Sequence, residues 1–568
     1  MTYRALTSRV DNVSSKYMKV EGLLPHPDAL CRDNIKMLKK LFQACQTKHE
    51  RCRRLRESLS PKTLPRYLLD LTAYKDGQVR LFETKGATGM ISYAALSYCW
   101  GRNCEKIHKQ KTLEKNFQAR LHGFPLKDLP KTLRHAARVC RIIGLRYLWV
   151  DAVCIIQDGN DLQRQVRDMI QAYKAASLVI SAARASNADE GFLGCRLQEY
   201  KKYELPITFH FPDRTETGRV RVTQRIPEEH LEPIDLRGWT WQEHLAAIGL
   251  IRFESEELVW RCPTMNKYES DIRVKGRVVQ RYDRDSCFRQ YLEQVRIYSR
   301  RETEEANDRL TAFEISAMLV AELLGLNAED YQAGLWKPDL CRQLLWICDA
   351  DHPRGLSKNM ASFPSWTWAN AQLPVQWDND NADMQDLDWG DYTCDVESCT
   401  TELVEPDRPF GSVKGGMLTV RAYAPEAFWT GRYLIELPKA VRRSPRLRGD
   451  GQGGRKTASS SYEGVSKSRR GQHMRSIRPR NLRFRPTWDT LQPPPEQVVK
   501  CLEIRSGIGN VNKAYGIVLV SAGEGLFKRI GYFCLEHPTR RRRGGPAFPR
   551  AISYNWIHQV KKETIRII

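Results

Sequence analysis

Short apolar runs alternate with helical patterns between about residues 90 and 260. The runs ISYAALSYCWG, RYLWVDAVCII and SLVISAA predict three buried strands. Apolar residues at three- and four-residue spacing fill the two gaps, from Leu133 to Ile143 and again over residues 161–174. Strand, helix, strand, helix, strand with short connections predicts βαβ units and a parallel sheet.

Polar and aromatic residues follow the predicted strands at their carboxyl ends. In parallel α/β sheets ligands bind outside these ends. The sequence therefore predicts a ligand site there, with these candidate residues: Ser97, Tyr98, Trp100, Gly101, Asp151, Gln157 and Asp158. The alternative is that the two aspartates cap turns. We expect Cys154 to be a buried strand thiol rather than a nucleophile.

The flanking sequence indicates further segments around this α/β domain. An Asp76-Gly77 turn between short alternating runs predicts a hairpin. The expected organisation is 1–60 helical preamble, 61–90 hairpin, 91–260 α/β domain, 261–370 helical and Trp-rich, 371–440 β-rich, 441–495 disordered basic linker and 496–568 β-rich.

The charge of the chain is concentrated in one segment. The formal net charge is +24, and residues 441–486 carry 14 Lys and Arg against two acidic residues. This Gly-, Ser- and Pro-rich stretch predicts a solvated linker, with weak nucleic-acid binding or nuclear targeting as alternatives. No apolar run reaches the length of a membrane span and no leader is evident at the start, so we expect a cytoplasmic protein that does not contact membranes.

The missing catalytic motifs and the cysteine spacing limit the enzyme classes and metal sites that the sequence permits. There is no GxGxxG after the first strand, no GxxxxGK[ST], no HExxH and no GxSxG, which disfavours cofactor dehydrogenases, P-loop enzymes, zincins and esterases. Cys31, Cys45, His49 and Cys52 have a spacing that permits a metal, but CxxC pairs are absent. We expect a helix face of packed thiols and no bound metal, with metal ligation as the open alternative.

Four ordered blocks resemble a known family. They are YAALSYCWG at 93–101, LPKTLRHAARVCRIIGLRYLWVDAVCIIQD at 129–158, DLQRQVRDMIQAYKAASLVISA at 161–182 and RGWTWQEHL at 237–245. Together they resemble the fungal heterokaryon-incompatibility (HET) domain proteins. The resemblance implies an effector that kills cells on non-self recognition, and it makes residues 91–260 the HET domain.

The HET domain is also similar to the TIR domain, a parallel α/β sandwich that in some proteins hydrolyses NAD. The TIR enzymes carry an essential glutamate, and the block at 237–245 places Glu243 in that role. Arg237 is a candidate phosphate anchor, with a salt bridge to Asp151 or Asp158 as the alternative. Trp239 is a candidate binding residue on the same helix face as Glu243, with a place in the core as the alternative. The resemblance thus implies NAD as a substrate and no permanently bound cofactor. Trp241 and His244 depart from the usual family pattern, which leaves the details of the pocket open.

One carboxylate is sufficient for this chemistry. Cleavage of the nicotinamide–ribose bond builds positive charge on the ribose, which a carboxylate stabilises. The nicotinamide ring is cationic before the bond breaks, so no general acid is needed. One alternative is that Glu243 has a structural role at a helix start. A second is a non-enzymatic module that associates with itself or is activated by a separate sensor protein. A third is a nucleic-acid-associated protein that uses the basic segment.

Overall fold

The computed structural model divides the chain into two compact units. Unit 1 comprises residues 1–287 and 301–324, and unit 2 comprises residues 288–300 and 325–568. The structure describes residues 3–7, 13, 17, 22–23, 25–59, 64–86, 91–101, 104–160, 169–196, 202–224, 231–270, 283–349, 363–377, 392–429, 434–436, 487–489, 497–507, 513–536, 557 and 560–568. The predicted basic linker of 441–495 lies outside the described residues except at 487–489, and the predicted helix of 161–174 is described only from residue 169.

Unit 1 is built on a nine-stranded sheet and a separate four-stranded sheet. The strands are β1 (Tyr3–Thr7), β2 (Gly22–Leu23), β3 (Tyr67–Asp70), β4 (Gln78–Glu83), β5 (Tyr93–Ser97), β6 (Phe124–Pro125), β7 (Tyr147–Trp149), β8 (Leu178–Ser181), β9 (Lys202–His210), β10 (Thr215–Gln224), β11 (Leu250–Phe253), β12 (Leu258–Cys262) and β13 (Met265–Tyr268). The large sheet has the order β13–β12–β11–β8–β5–β7–β3–β4–β6, and the small one β2–β1–β10–β9.

α-Helices lie between and after these strands in unit 1, and others occur in unit 2. They are α1 (Arg32–Thr47), α2 (Glu50–Glu57), α3 (Glu105–Lys109), α4 (Glu114–His122), α5 (Lys131–Ile143), α6 (Asp151–Cys154), α7 (Met169–Ala175), α8 (Trp239–Ala246), α9 (Arg284–Tyr298), α10 (Asp308–Thr311), α11 (Glu314–Leu324) and α12 (Leu340–Gln343). Short 3-10 turns lie at Thr72–Asp76, Leu126–Asp128, Pro233–Leu236, Ala328–Asp330, Lys337–Asp339 and Trp368–Asn370.

The large sheet is mixed, so the expectation of a parallel sheet holds only for its centre. Strands β11, β8, β5 and β7 run parallel, while β3, β4, β6, β12 and β13 pair antiparallel with their neighbours. The central strands are buried on both faces, as a parallel sheet with helices on its faces requires. The predicted hairpin at Asp76-Gly77 is confirmed, because β3 and β4 form it and Gly77 has a φ of 71°.

The predicted strand RYLWVDAVCII is shorter than expected. It ends at Trp149, and Asp151 opens the one-turn helix α6. Asp151 Oδ1 accepts a hydrogen bond from the Ala152 backbone amide at 2.7 Å, which satisfies an amide of the first turn. Cys154 therefore lies on a helical turn rather than in a strand. It is buried at 3% exposure, as expected for a packed thiol.

Unit 2 is mainly antiparallel β-structure. Its strands are β14 (Tyr331–Gln332), β15 (Leu335–Trp336), β16 (Trp346–Cys348), β17 (Val375–Trp377), β18 (Asp395–Leu403), β19 (Val413–Ala422), β20 (Glu426–Trp429), β21 (Leu434–Glu436), β22 (Thr487–Trp488), β23 (Gln497–Gly507), β24 (Lys513–Gly523), β25 (Leu526–Glu536) and β26 (Glu563–Ile567). The main sheet has the order β18–β19–β26–β25–β24–β23–β20–β21, with β22 on β25. The runs LTVRAYAPEAFW, AYGIVLVSA and FKRIGYFCLE, predicted as strands, fall in β19, β20, β24 and β25.

The core of unit 1 joins the N-terminal helices to the large sheet. Leu38, Leu41 and Cys45 of α1 and Cys52 of α2 belong to one buried cluster with the residues of β5 and β8. Among the described residues, no helix combines the length and the apolar character that a membrane crossing demands.

Candidate functional site

Glu243 lies on α8, which packs beside the central parallel strands. The helix follows a 3-10 turn, and its Thr240 hydroxyl lies 2.7 Å from Ile234 O and 2.8 Å from Arg237 O in that segment. Glu243 is only 7% exposed. Ser97 at the end of β5 and Tyr173 on α7 both lower the pKa of its carboxyl group, while the Tyr173 hydroxyl donates to Leu96 O at 3.1 Å. Glu243 Oε2 is buried and has no hydrogen-bond partner within the described part of the chain.

Burial dominates the ionisation of Glu243. It raises the pKa of the carboxyl from 4.5 to about 7, with the charge of Asp151 adding to the shift and Ser97 and Arg237 opposing it. The group therefore changes protonation state near neutral pH. Perturbed carboxyl groups of this kind are frequent at functional sites.

His244 connects Ser97 to a buried arginine. Arg252 Nη1 lies 3.2 Å from His244 Nδ1, and Ser97 Oγ lies 3.1 Å from His244 Nε2. Burial and the Arg252 charge hold the pKa of His244 well below its usual range, so the ring is neutral at neutral pH. An arginine only donates, which makes Nδ1 the acceptor and places the ring proton on Nε2. Nε2–H then donates to Ser97 Oγ.

An ionic cluster of Asp235, Arg252 and Arg301 supports the hydrogen bonds through His244. Asp235 binds Arg252 at 2.7 Å and Arg301 at 3.2 Å. These arginines hold the pKa of Asp235 below its usual range against the opposing effect of burial. Arg301 also donates to Arg237 O at 3.1 Å and to Thr240 Oγ1 at 2.9 Å. Arg301 therefore fixes the start of α8 and, with it, the position of Glu243.

Arg237 brings a positive charge to the ends of the strands. Its Nη1 donates to Tyr98 O at 2.8 Å. Burial lowers the pKa of the guanidinium. The charges of Cys99, Glu243 and Asp151 together raise that pKa by a larger amount, so the net shift is upward. Arg237 therefore interacts electrostatically with both Glu243 and Asp151.

Asp151 and Trp100 form a second pair at the same edge of the sheet. The Trp100 indole donates to Asp151 Oδ2 at 2.9 Å, and Lys111 Nζ lies 4.7 Å from the Trp100 ring centroid. Burial raises the pKa of Asp151. Burial also raises the pKa of Tyr98 well above its usual range, and the charge of Asp151 contributes to that shift.

Gly101 is required by the tight chain path after β5. Its φ is +83°, and a Cβ at this position would lie 2.4 Å from the Cβ of Asn187. Only glycine fits this conformation and this distance. Gly101 therefore shapes the loop that carries Trp100.

The remaining predicted residues make other contacts. Gln157 Nε2 donates to Asp151 O at 3.0 Å and to Ile155 O at 3.2 Å, which braces the turn behind Asp151. Asp158 Oδ1 accepts from the Glu114 amide at 2.8 Å and so stabilises the start of α4. The Trp239 indole donates to Asp308 at 3.2 Å.

The sequence did not indicate the residues that support Glu243. Asp235, Arg252 and Arg301 carry no motif, and His244 stood out only as a departure from the family pattern. Arg301 is more than 50 residues from Glu243, so no local periodicity joins them. A charged residue within an apolar run, such as Arg252 in GLIRF, is the signal that was available.

A family model matches the part of the chain that carries the predicted site residues. Residues 93–243 match the family model described as Heterokaryon incompatibility protein (HET). This part of the chain is a HET domain. The match runs from the first residue of β5 to Glu243, and it contains every predicted site residue. Neither the comparison with curated proteins nor that with solved structures returned a match, and no comparison confirms the expected likeness to TIR domains.

Proposed function

We propose that this HET-domain protein triggers cell death on non-self recognition by hydrolysing NAD at the nicotinamide–ribose bond. The observation that carries the proposal is Glu243: a buried carboxyl with a pKa of about 7, at the carboxyl ends of parallel strands, beside an arginine. The ends of such strands are where α/β sheets bind their ligands.

The ionised carboxylate of Glu243 is the working form in this mechanism. As the bond to nicotinamide breaks, positive charge builds on the ribose, and a carboxylate in a site of low dielectric stabilises it strongly. Water then attacks the ribose carbon to give ADP-ribose, and the Glu243 carboxylate accepts its proton. Neutral nicotinamide leaves with the electron pair of the broken bond.

The neighbouring residues suit the rest of the NAD molecule. Arg237 supplies the cation that a pyrophosphate requires. Trp100 supplies an aromatic face for a flat ring at the same strand end. The Ser97 hydroxyl, which pairs with His244, favours the ionised form of the Glu243 carboxyl.

The test is NAD consumption by the purified full-length chain and its Glu243→Gln variant. We expect release of nicotinamide and ADP-ribose by the wild type and a loss of about 100-fold or more in the variant. Glu314→Gln is the matched control, because Glu314 is also 7% exposed and lies on α11 against Gln242. Equal turnover by wild type and Glu243→Gln would exclude the carboxylate from the mechanism.

A non-enzymatic assembly module is the second candidate. Helix α11 exposes three apolar side chains on its later turns, Met318 at 41%, Leu319 at 44% and Leu323 at 59%. An exposed apolar surface favours association between copies of a protein. In this case Glu243→Gln would remain toxic in cells, while Leu319→Glu and Leu323→Glu would abolish both toxicity and self-association. Loss of toxicity in Glu243→Gln alone supports the enzyme.

A further inference from the structure

Four metal-ligating side chains meet between the N-terminal helices and the β12–β13 hairpin. Cys45 is in the last turn of α1, His49 precedes α2, Cys52 is in its first turn, and Cys262 ends β12. Their ligand atoms all lie within 4.8 Å of one another. The fourth member is more than 200 residues away in sequence from the other three.

Two distances in this cluster are close to those of a tetrahedral metal site. Four-coordinate zinc lies about 2.3 Å from sulfur and about 2.0 Å from nitrogen, which separates the ligand atoms by about 3.5 to 3.8 Å. His49 Nδ1 lies 3.5 Å from Cys262 Sγ and 3.9 Å from Cys52 Sγ. Packed thiols alone do not require an imidazole nitrogen directed at two sulfurs.

The surroundings of the cluster suit thiolate ligands. Arg56 Nη2 lies 3.5 Å from Cys45 Sγ and brings a positive charge to the sulfurs. Thr264 Oγ1 lies 3.4 Å from Cys52 Sγ. Hydrogen bonds of this kind hold metal ligands in place and offset their negative charge.

We propose that Cys45, His49, Cys52 and Cys262 bind one zinc ion that joins the N-terminal helices to the HET-domain sheet. Three thiolates and one imidazole are the donor set that selects zinc among the common divalent ions. Four protein ligands complete a tetrahedron and leave no open position, so the ion is structural rather than catalytic. Cys45 and Cys52 are fully buried, with 0% exposure, as the ligands of a closed site are.

Metal content of the full-length chain tests the site. We expect about one zinc per chain by mass spectrometry after dialysis. Cobalt-loaded protein should show the visible absorption bands of a tetrahedral thiolate site. Cys262→Ser should lose most of the bound metal, while Cys31→Ser and Cys140→Ser should retain it. Cys31→Ser separates this site from one that uses the neighbouring cysteine in sequence, and Cys140→Ser controls for the loss of a buried thiol.

Several results would overturn the proposal. They are a wild-type chain that takes up no stoichiometric zinc under reducing conditions, a Cys31→Ser variant that loses as much metal as Cys262→Ser, and a disulfide between Cys45 and Cys262 in the protein as purified. The cobalt spectrum of the wild type does not depend on any variant folding, so the test survives an unstable Cys262→Ser. The zinc result is also independent of NAD hydrolysis.

Discussion

At the scale of single residues, Glu243 is held between opposing forces. Burial favours its neutral form, while Arg237 and Ser97 favour the carboxylate. Burial dominates, since the pKa moves from 4.5 to about 7. The folded protein therefore binds a proton more tightly at this site than the unfolded chain does.

This imbalance predicts that Glu243→Gln stabilises the protein at alkaline pH. A group with a raised pKa contributes its full stability below its unfolded value, and the contribution is lost as pH rises through about 7. Above pH 7 the wild type bears a cost of up to about 3 kcal/mol that the neutral glutamine avoids. Denaturant unfolding of both proteins from pH 5 to 9 measures this difference. A variant that is less stable at pH 8 than the wild type would show that the carboxylate is a structural anchor instead.

Ser97→Ala should raise the pKa of Glu243 further. The Ser97 hydrogen bond lowers that pKa, and its loss leaves burial less opposed. The midpoint of the pH-dependent stability loss, and the pH at which NAD hydrolysis begins, should both move upward. Ser186→Ala is the control, because Ser186 bonds Glu190 rather than Glu243. An unchanged midpoint would exclude the proposed path from His244 through Ser97.

At the scale of elements, a buried acid fastens the N-terminal segment to the sheet. Glu269, just after β13, forms an ion pair with Arg196 at 2.6 Å, and both side chains are 1% exposed. It also accepts from Asn34 on α1 at 2.9 Å and from the His26 amide at 2.7 Å. These bonds hold the pKa of Glu269 below its usual value even though burial opposes them.

Glu269→Ala is expected to destabilise unit 1 by about 3 to 5 kcal/mol, because it leaves the Arg196 charge buried without its partner. Glu57→Ala is the control, since the Arg53–Glu57 pair is exposed and contributes little. The measurement is urea unfolding followed by tryptophan fluorescence. Equal losses in both variants would mean that Arg196 finds another partner or water.

The local pattern of apolar residues predicted the strands and helices that each span one uninterrupted pattern. It missed a short helix that begins within an apolar run. The runs at β5 and β8 and the periodicity from Leu133 to Ile143 gave the right element types. The run RYLWVDAVCII is apolar from Tyr147 onward except for Asp151, whose carboxyl group accepts a hydrogen bond from the Ala152 amide in the first turn of α6. Hydrophobic periodicity shows which residues share a buried face, but it does not reveal a single hydrogen bond. The boundary between β7 and α6 was therefore not predictable from periodicity.

At the scale of the whole molecule, contacts between segments that are far apart in sequence bring together residues that no sequence pattern predicted to meet. Cys31 is the nearest cysteine to Cys45 on its N-terminal side, yet the structure brings Cys262 to the cluster in its place. Ser97 meets His244 across 147 positions. Spacing rules describe ligands on one turn or one strand, whereas these partners come together only once β5, β8, β11 and β12 have paired.

The same long-range packing makes residues 25–59 part of the fold rather than an appendage. Leu38 and Cys45 of α1 and Cys52 of α2 are 0–2% exposed within the core of unit 1. Deletion of residues 1–60 removes these contacts, and each buried leucine is worth about 1.5 to 3 kcal/mol. It also removes two partners of Glu269, the Asn34 side chain and the His26 amide. We expect the deleted chain to lose the cooperative thermal unfolding of unit 1 and the slow hydrogen exchange of β11. A chain lacking residues 441–486 is the control of similar size and should keep both. Cooperative unfolding of the 1–60 deletion at the wild-type temperature would show that the HET domain is self-sufficient.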